Sequence, residues 1–209
     1  MKPGVRALGI AESYSEQSDR ADTDTNTTTT STLAGAVVRA SRVVDGLTFG
    51  SCTVGGTDAT DAIGSLVSDL EREDVRYVLL GAVAPAWYNV LDLKRIARRV
   101  DRPVIAVTFE ASDGLESGLR DAFSGEALEC RLELYRDLPP RRAVAVNDET
   151  VYVRAVGLAD DEAAEVVRAF TPEGGRPEPL RVARFAARAG DAYVREGRTR
   201  AGTGSGDGN

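Results

Sequence analysis

The stretch LAGAVVRASRVVDGLTFGSCTV, residues 33–54, decides the fold. Leu33 to Val44 and Leu47 to Val54 have the apolar, β-branched content of strands, and Asp45-Gly46 between them is a strong short-range signal for a tight hairpin turn. Two antiparallel strands follow from that reading. Upstream, Val5 to Ile10 reads as a first strand, and the polar Glu12 to Gln17 comes after it. Ser18 to Thr32 has no apolar residue beyond Ala21 and is expected to be a disordered surface loop.

Past Gly55-Gly56 the apolar period changes from two to about 3.6. Ala59, Ile63, Leu66, Val67 and Leu70 predict an amphipathic helix over Asp58 to Glu73, with Thr57 or Asp58 as its N-cap. Arg76 to Val83 and Pro103 to Phe109 are continuous apolar runs of the buried, parallel type, and Tyr88 to Val100 between them is expected to be helical. Gly114 to Phe123 and Glu126 to Arg136 have helical propensity. Ala143 to Val146 and Val151 to Val156 predict a second hairpin, Asp160 to Phe170 a helix, and Glu178 to Glu196 a last long helix. One α/β domain over residues 1–196 is expected, with residues 197–209 as a glycine-rich disordered tail.

The strand order places the chemistry. If strand one runs up, the hairpin sends strand two down and strand three up, and right-handed crossovers make strands four and five parallel to strand one. The result is a mixed sheet, antiparallel through strands 1–3 and parallel through strands 4–5, flanked by helices. The carboxyl ends of strands one, three, four and five then share an edge, where ligands bind in sheets of this type. Glu12 and Glu16, Asp58 and Asp61, Asn89 and Asp92, and Glu110 all follow those ends. Each also has a plain structural reading: Asp58 and Asp61 suit the start of a helix, Asn89 and Asp92 can cap the next one, and Glu12 and Glu110 can face solvent.

Composition narrows the mechanisms. The chain has 209 residues and no histidine, which excludes Ser-His-Asp and Cys-His nucleophile sites and imidazole-held metals. Cys52 and Cys130, the two cysteines, lack a CxxC neighbour and read as buried thiols of a reducing, cytoplasmic protein. Acids gathered without lysine would repel one another unless a hard cation sat between them, and oxygen donors select Mg²⁺ or Mn²⁺. Only Lys2 and Lys94 are lysine among the 26 basic residues, against 33 acids and a net charge of −7. That surface suits a high-salt cytosol, although a GC-rich genome that favours arginine codons explains the Lys deficit as well. No signal peptide is expected, because Lys2 is followed by Pro3, Gly4 and Arg6. The longest uncharged stretch, Tyr77 to Leu91, is too short and too interrupted by Gly81, Pro85 and Asn89 to cross a membrane.

Tests for phosphate-loop and dinucleotide motifs are negative, although the backbone amides of the Gly55-Gly56 loop could hold one phosphate oxygen. Gly55-Gly56-Thr57-Asp58-Ala59-Thr60 precedes a helix, yet it lacks the Gly-Lys-Ser/Thr ending of a P-loop and the spacing of a dinucleotide fingerprint. Arginine clusters at Arg39/Arg42, Arg95/Arg98/Arg99/Arg102 and Arg181/Arg184/Arg188 read either as phosphate contacts or as solvated helix faces.

Val54-Gly55-Gly56-Thr57-Asp58-Ala59-Thr60, Tyr88-Asn89-Val90-Leu91-Asp92-Leu93, Pro103-Val104-Ile105 and Pro177-Glu178-Pro179-Leu180-Arg181-Val182-Ala183 resemble the archaeal endonuclease dU family, which is related to endonuclease V. The resemblance runs from about Arg6 to Ala189. It implies an RNase H-like fold and Mg²⁺- or Mn²⁺-dependent cleavage of DNA near deaminated bases. Carried onto this chain, it implies Glu12, Asp58 and Asp92 as the acids of a metal centre, with Asn89 completing it or positioning water. Tyr14, Thr60, Trp87 and Tyr88 fall on the substrate side, the aromatic rings as stacking platforms for an extruded base. Where the family usually carries Gly-Ile-Asp-Asp, this chain has Gly9-Ile10-Ala11-Glu12. Either Glu12 supplies the oxygen that Ala11 cannot, or the chain keeps the fold as a nucleic-acid-binding or interaction module.

Overall fold

The computed structural model describes residues 1–14 and 29–203. Strands β1 (Arg6–Glu12), β2 (Thr30–Arg39), β3 (Val44–Thr53), β4 (Val75–Leu80), β5 (Val104–Thr108), β6 (Arg142–Val146) and β7 (Glu149–Val156) form one seven-stranded sheet in the order β3-β2-β1-β4-β5-β7-β6. β4 lies parallel to β1 and β5 parallel to β4, while β2, β3, β6 and β7 pair antiparallel. The expected mixed sheet is therefore present, and β1, β3, β4 and β5 end on one edge.

Helices cover both faces. One core packs Leu8, Ile10, Val78 and Leu80 of the sheet under α1 (Ala59–Asp69) and α2 (Leu93–Val100), through Ile63, Leu66 and Ile96. The other packs Ala7, Leu79, Ile105 and Val107 against α5 (Asp160–Ala169) and the start of α6 (Glu178–Thr203), through Val167, Phe170 and Leu180. Between them in the chain, α3 (Glu116–Ala122) and α4 (Gly125–Arg136) join Val90 in a smaller cluster through Leu119 and Leu132. Among the described residues no helix is long and apolar enough to cross a membrane.

Four expectations need correction. The hairpin does not turn at Asp45-Gly46. It turns at residues 40–43, where Arg42 takes a left-handed φ of 71° and Arg39 N donates to Val43 O. Val37 pairs with Gly46 and Val38 with Val44, so Asp45 is the extra residue of a β-bulge. Its carboxylate accepts from Arg6 at 2.6 Å and Arg39 at 2.7 Å, with Arg72 at 3.6 Å, and these remote charges override the local turn signal.

Second, Thr30 to Thr32 belong to β2, paired with Thr53, Cys52 and Ser51, so the predicted loop ends earlier than its composition suggests; β-branched threonine suits a strand. Residues 18–28 lie outside the described residues. Third, residues 88–92 are not helical: α2 starts at Leu93, because Asp92 caps it by accepting from Arg95 N at 2.8 Å. Last, α6 continues through 197–203 instead of ending at Glu196.

The Asp45 network yields a pH prediction. Hydrogen bonds from Arg39 and Arg6 hold the Asp45 carboxyl far below its ordinary value. A depressed folded-state value stabilises the protein above the unfolded value, about 3.9, and that stabilisation is lost as pH falls through the folded one. Urea midpoints are expected to drop between about pH 4 and pH 2, and Asp45→Asn is expected to flatten that drop while lowering the midpoint at neutral pH.

Candidate functional site

Strand alternation determines where Glu12 points. Leu8 and Ile10 face the α1 side, so Glu12, two residues on, does the same. Ala11 faces the opposite way, against Ala183 of α6. The residue in doubt thus lies on the α6 face of β1, and Glu12 does not reach around the strand to serve the α1 face.

The Glu12 carboxylate accepts from the backbone N–H of Ala86. That contact ties β1 to an unusual turn, in which Ala86, Trp87 and Tyr88 take φ values of 48°, 55° and 61°. Left-handed backbone costs roughly 1–3 kcal/mol per residue and persists only where the surroundings impose it. Here Ala86 O accepts from Gly55 N at 2.7 Å, and Arg131 donates to Tyr88 O at 3.3 Å. Arg131, 5% exposed, also donates to Gly55 O and Gly56 O at 2.6 and 3.0 Å, and its guanidinium lies 4.0 Å from the Phe123 ring centre. Strain is therefore held at the sheet edge by contacts from three segments.

Asp58 is set beside this turn by its own ring of donors. It accepts from Thr53 N at 3.1 Å, from Thr53 Oγ1 at 2.9 Å and from Asn89 Nδ2 at 2.7 Å. Burial pushes the Asp58 carboxyl upward, but the bonds from Asn89 and Thr53 outweigh it and hold the group below its ordinary value, so it stays ionised. Asn89 is fully buried and does three jobs: it donates to Asp58, donates to Thr53 O at 3.0 Å, and accepts from Ala59 N at 3.1 Å. It thereby satisfies the first turn of α1, whereas the plain sequence reading gave it to the next helix.

Asn89→Ala removes all three bonds and leaves the Ala59 N–H and an ionised carboxylate short of partners. A loss of about 2 kcal/mol in the urea unfolding free energy is expected, with the Asp58 carboxyl moving up.

Cys52 lies within electrostatic reach of both acids. It is buried, and its thiol is pushed up to about 12 by desolvation first and then by the charges of Glu12 and Asp58. Acids from the end of β1 and the start of α1 thus act on one thiol. Both cysteines are free, and Cys130 is exposed, contrary to the expected pair of buried thiols.

Asp92 does not join them. Its carboxylate caps α2, and its backbone N–H donates to Thr60 Oγ1 at 3.0 Å. Among the described residues no three acids or cysteines gather closely enough to hold a metal, so the expected triad of Glu12, Asp58 and Asp92 is not assembled.

Of the expected stacking residues, Trp87 is 38% exposed, with its ring 5.2 Å from Phe123 and 5.9 Å from Tyr88. Tyr88 is half-buried in that cluster, and Tyr14 N donates to Ser31 Oγ at 3.1 Å.

Two cavities open on this edge. A small one of about 50 Å³ lies beside Ala11 and Glu12 among Ile10, Leu33 and Pro85, roomy enough for a few waters. A larger groove of about 310 Å³ runs over the ends of β4 and β5 and is lined by Phe109, Tyr135, Arg141 and Arg154. Gly81, Ala82, Arg176 and Arg184 line both, so the two are adjacent. None of Phe109, Tyr135, Arg154 and Arg176 falls in a recognisable motif.

Comparison with known proteins bears on this arrangement. The family model described as endonuclease dU matches residues 3–190. The chain belongs to the endonuclease dU family. A UPF0215 protein of Thermococcus kodakarensis is 33% identical over 191 residues, covering 90% of this chain and 93% of that protein. A UPF0215 protein of Pyrobaculum aerophilum is 31% identical over 190 residues, covering 90% and 95%.

Among solved structures, a protein of unknown function from Archaeoglobus fulgidus superposes with a TM-score of 0.73 at 25% identity, over 88% of this chain and 96% of that one. Ciona intestinalis endonuclease V, in complex with DNA containing an inosine followed by a ribo-adenosine, superposes with a TM-score of 0.58 at 12% identity, over 90% and 86%. The endonuclease dU chain thus has the RNase H-like fold of endonuclease V.

Proposed function

We propose that this endonuclease dU chain is a DNA endonuclease that nicks near deaminated bases, with a hard divalent cation, Mg²⁺ or Mn²⁺, held by Glu12 and Asp58. The observation that carries the reading is that those two carboxylates, from separate segments, both accept from one short turn, Glu12 from the Ala86 N–H and Asp58 from Asn89 Nδ2. Two acids fit the cation: Mg²⁺ keeps several waters and is usually bound through one or two carboxylates plus substrate phosphates. When bound, the cation activates water as a nucleophile and stabilises the departing oxygen.

The chain's own residues do the rest. Thr53 and Asn89 keep Asp58 ionised and aimed, and the Ala86 N–H orients Glu12. Thr60 and Asp92 anchor α1 to the segment that carries Asn89. The exposed face of Trp87 offers a stacking surface, and the groove over β4 and β5 has the volume of a small-ligand pocket. Deamination turns an exocyclic amino donor into a carbonyl acceptor, and Arg141 and Arg154 supply donors in that groove.

A second reading keeps the fold as a binding module without cleavage. It is favoured by the Asp58 oxygens, which already accept from Thr53 and Asn89. One experiment separates the two: labelled oligonucleotides bearing deoxyuridine or deoxyinosine are incubated in high KCl with Mg²⁺, Mn²⁺ or EDTA, using wild type and Asp58→Ala. Metal-dependent nicking that vanishes in the variant is expected. Binding without nicking in every condition would leave the module reading in its place.

A further inference from the structure

Several arginines of this acid-rich chain are matched by carboxylates, as Arg6 and Arg39 are by Asp45, Arg95 by Asp61 and Arg136 by Glu116. Along α6 the same holds for Arg181 with Glu178 and for Arg195 with Asp191. Arg184, which lines the groove, and Arg188, one helical turn further on, carry no described ion pair, and neither does Arg176 just before the helix.

Arg176 is the better defined of the three. Its guanidinium lies 3.7 Å from the Phe109 ring centre, so its side chain is stacked in place. Among the described residues none of its nitrogens has a hydrogen-bond partner, yet no buried polar atom there lacks one. Those nitrogens therefore open onto the groove that Arg176 lines. Desolvation, and then the charges of Arg184 and Arg188, work against its protonated form.

The supporting loop is rigid. Asn147 Nδ2 donates to Gly174 O at 2.7 Å, and Glu178 N donates to Phe170 O at 2.7 Å. Two like charges lining one groove, Arg176 and Arg184, with Arg188 one helical turn further along α6, are relieved by an anion with several negative centres in series. Guanidinium recognises phosphate oxygens through paired donors, and a polymer of phosphodiesters supplies such a series.

We propose that Arg176, Arg184 and Arg188 form a rail for the sugar-phosphate backbone of DNA, leading along α6 into the groove beside Glu12. The proposal names the substrate-holding surface of the nuclease reading and rests on it for the choice of DNA. Net charge of −7 gives the rest of the protein no general attraction for nucleic acid, so binding has to be local.

The test needs no cleavage. Binding of a fluorescein-labelled DNA duplex is followed by anisotropy in EDTA across a KCl series, for wild type, Arg184→Gln, the triple Arg176→Gln/Arg184→Gln/Arg188→Gln, and Arg76→Gln, an exposed arginine at the opposite end of β4. Each lost phosphate contact lowers the slope of log K against log salt by about 0.9. A reduction of about that size is expected for the exposed Arg184→Gln, whose fold is not at risk, and two to three times as much for the triple variant. Arg76→Gln is expected to match wild type. Absence of wild-type binding, unchanged slopes in the variants, or an equal effect from Arg76→Gln overturns the rail. A normal slope pattern in a protein that never nicks would leave the rail standing and remove the nuclease reading.

Discussion

Gly9→Ala is expected to destabilise the protein by about 3 kcal/mol or more, the largest stability loss from any single methyl group in the sheet. An added Cβ would lie 2.2 Å from Pro179 C, 2.4 Å from Pro179 O and 2.6 Å from Leu180 N. All three are backbone atoms, so no side chain can swing aside, and either β1 or the start of α6 must shift. Leu180 is fully buried against the sheet at this point, so the shift opens the core as well. For a domain of this size, about 3 kcal/mol corresponds to a fall in Tm of roughly 6–12 °C. Gly4→Ala is the control, since nothing lies within 4 Å of its added Cβ, and its melting curve is expected to overlay that of wild type. Gly9→Ala has a second readout, because the displaced start of α6 carries the arginine rail away from Glu12. Weaker DNA binding at a temperature where the variant is still folded is expected alongside the lower Tm.

The elements that periodicity could reveal were legible. α1 and β4 fall within a few residues of their expected bounds because their apolar residues repeat at the spacing of the faces they bury. The failures share one cause, a local signal overruled by a distant partner. Asp45-Gly46 is a good turn pair, but Arg6 and Arg72 come from remote segments to hold Asp45 inside a strand. Tyr88 to Asp92 has nothing against helix locally, but Glu12, Gly55 and Arg131 hold the preceding backbone left-handed. Asn89 was a sound candidate assigned to the wrong helix for the same reason, since Ala59 N lies thirty residues away in the chain. The placement of Glu12 and Asp58 at one edge could be read from strand order alone, because they lie at or just past strands whose ends must share it. Phe109, Tyr135 and Arg176 could not, since each comes from a different segment and only the folded groove brings them together.

Glu12→Gln and Glu12→Ala are expected to separate what this side chain does for chemistry from what it does for the fold. Glutamine keeps the length and a carbonyl oxygen to accept from Ala86 N–H, but it loses the charge that a hard cation requires. Nicking is expected to fall by more than about 100-fold, because even the outer partners of metal ligands are worth 10–100-fold, while the urea midpoint stays near that of wild type. Alanine loses the acceptor too. The Ala86 N–H, buried at the start of three consecutive left-handed residues, is then left without its partner, at a cost of about 1–3 kcal/mol. Nicking by Glu12→Ala is expected to be as low as by Glu12→Gln, with a lower midpoint besides. Ala11→Asp provides the geometric control: alternation points position 11 at Ala183 and away from Asp58, so an acid there is expected not to rescue Glu12→Gln. Rescue by that double variant would mean that the cation is held on the α6 face, and the assignment of Glu12 with Asp58 would then be wrong.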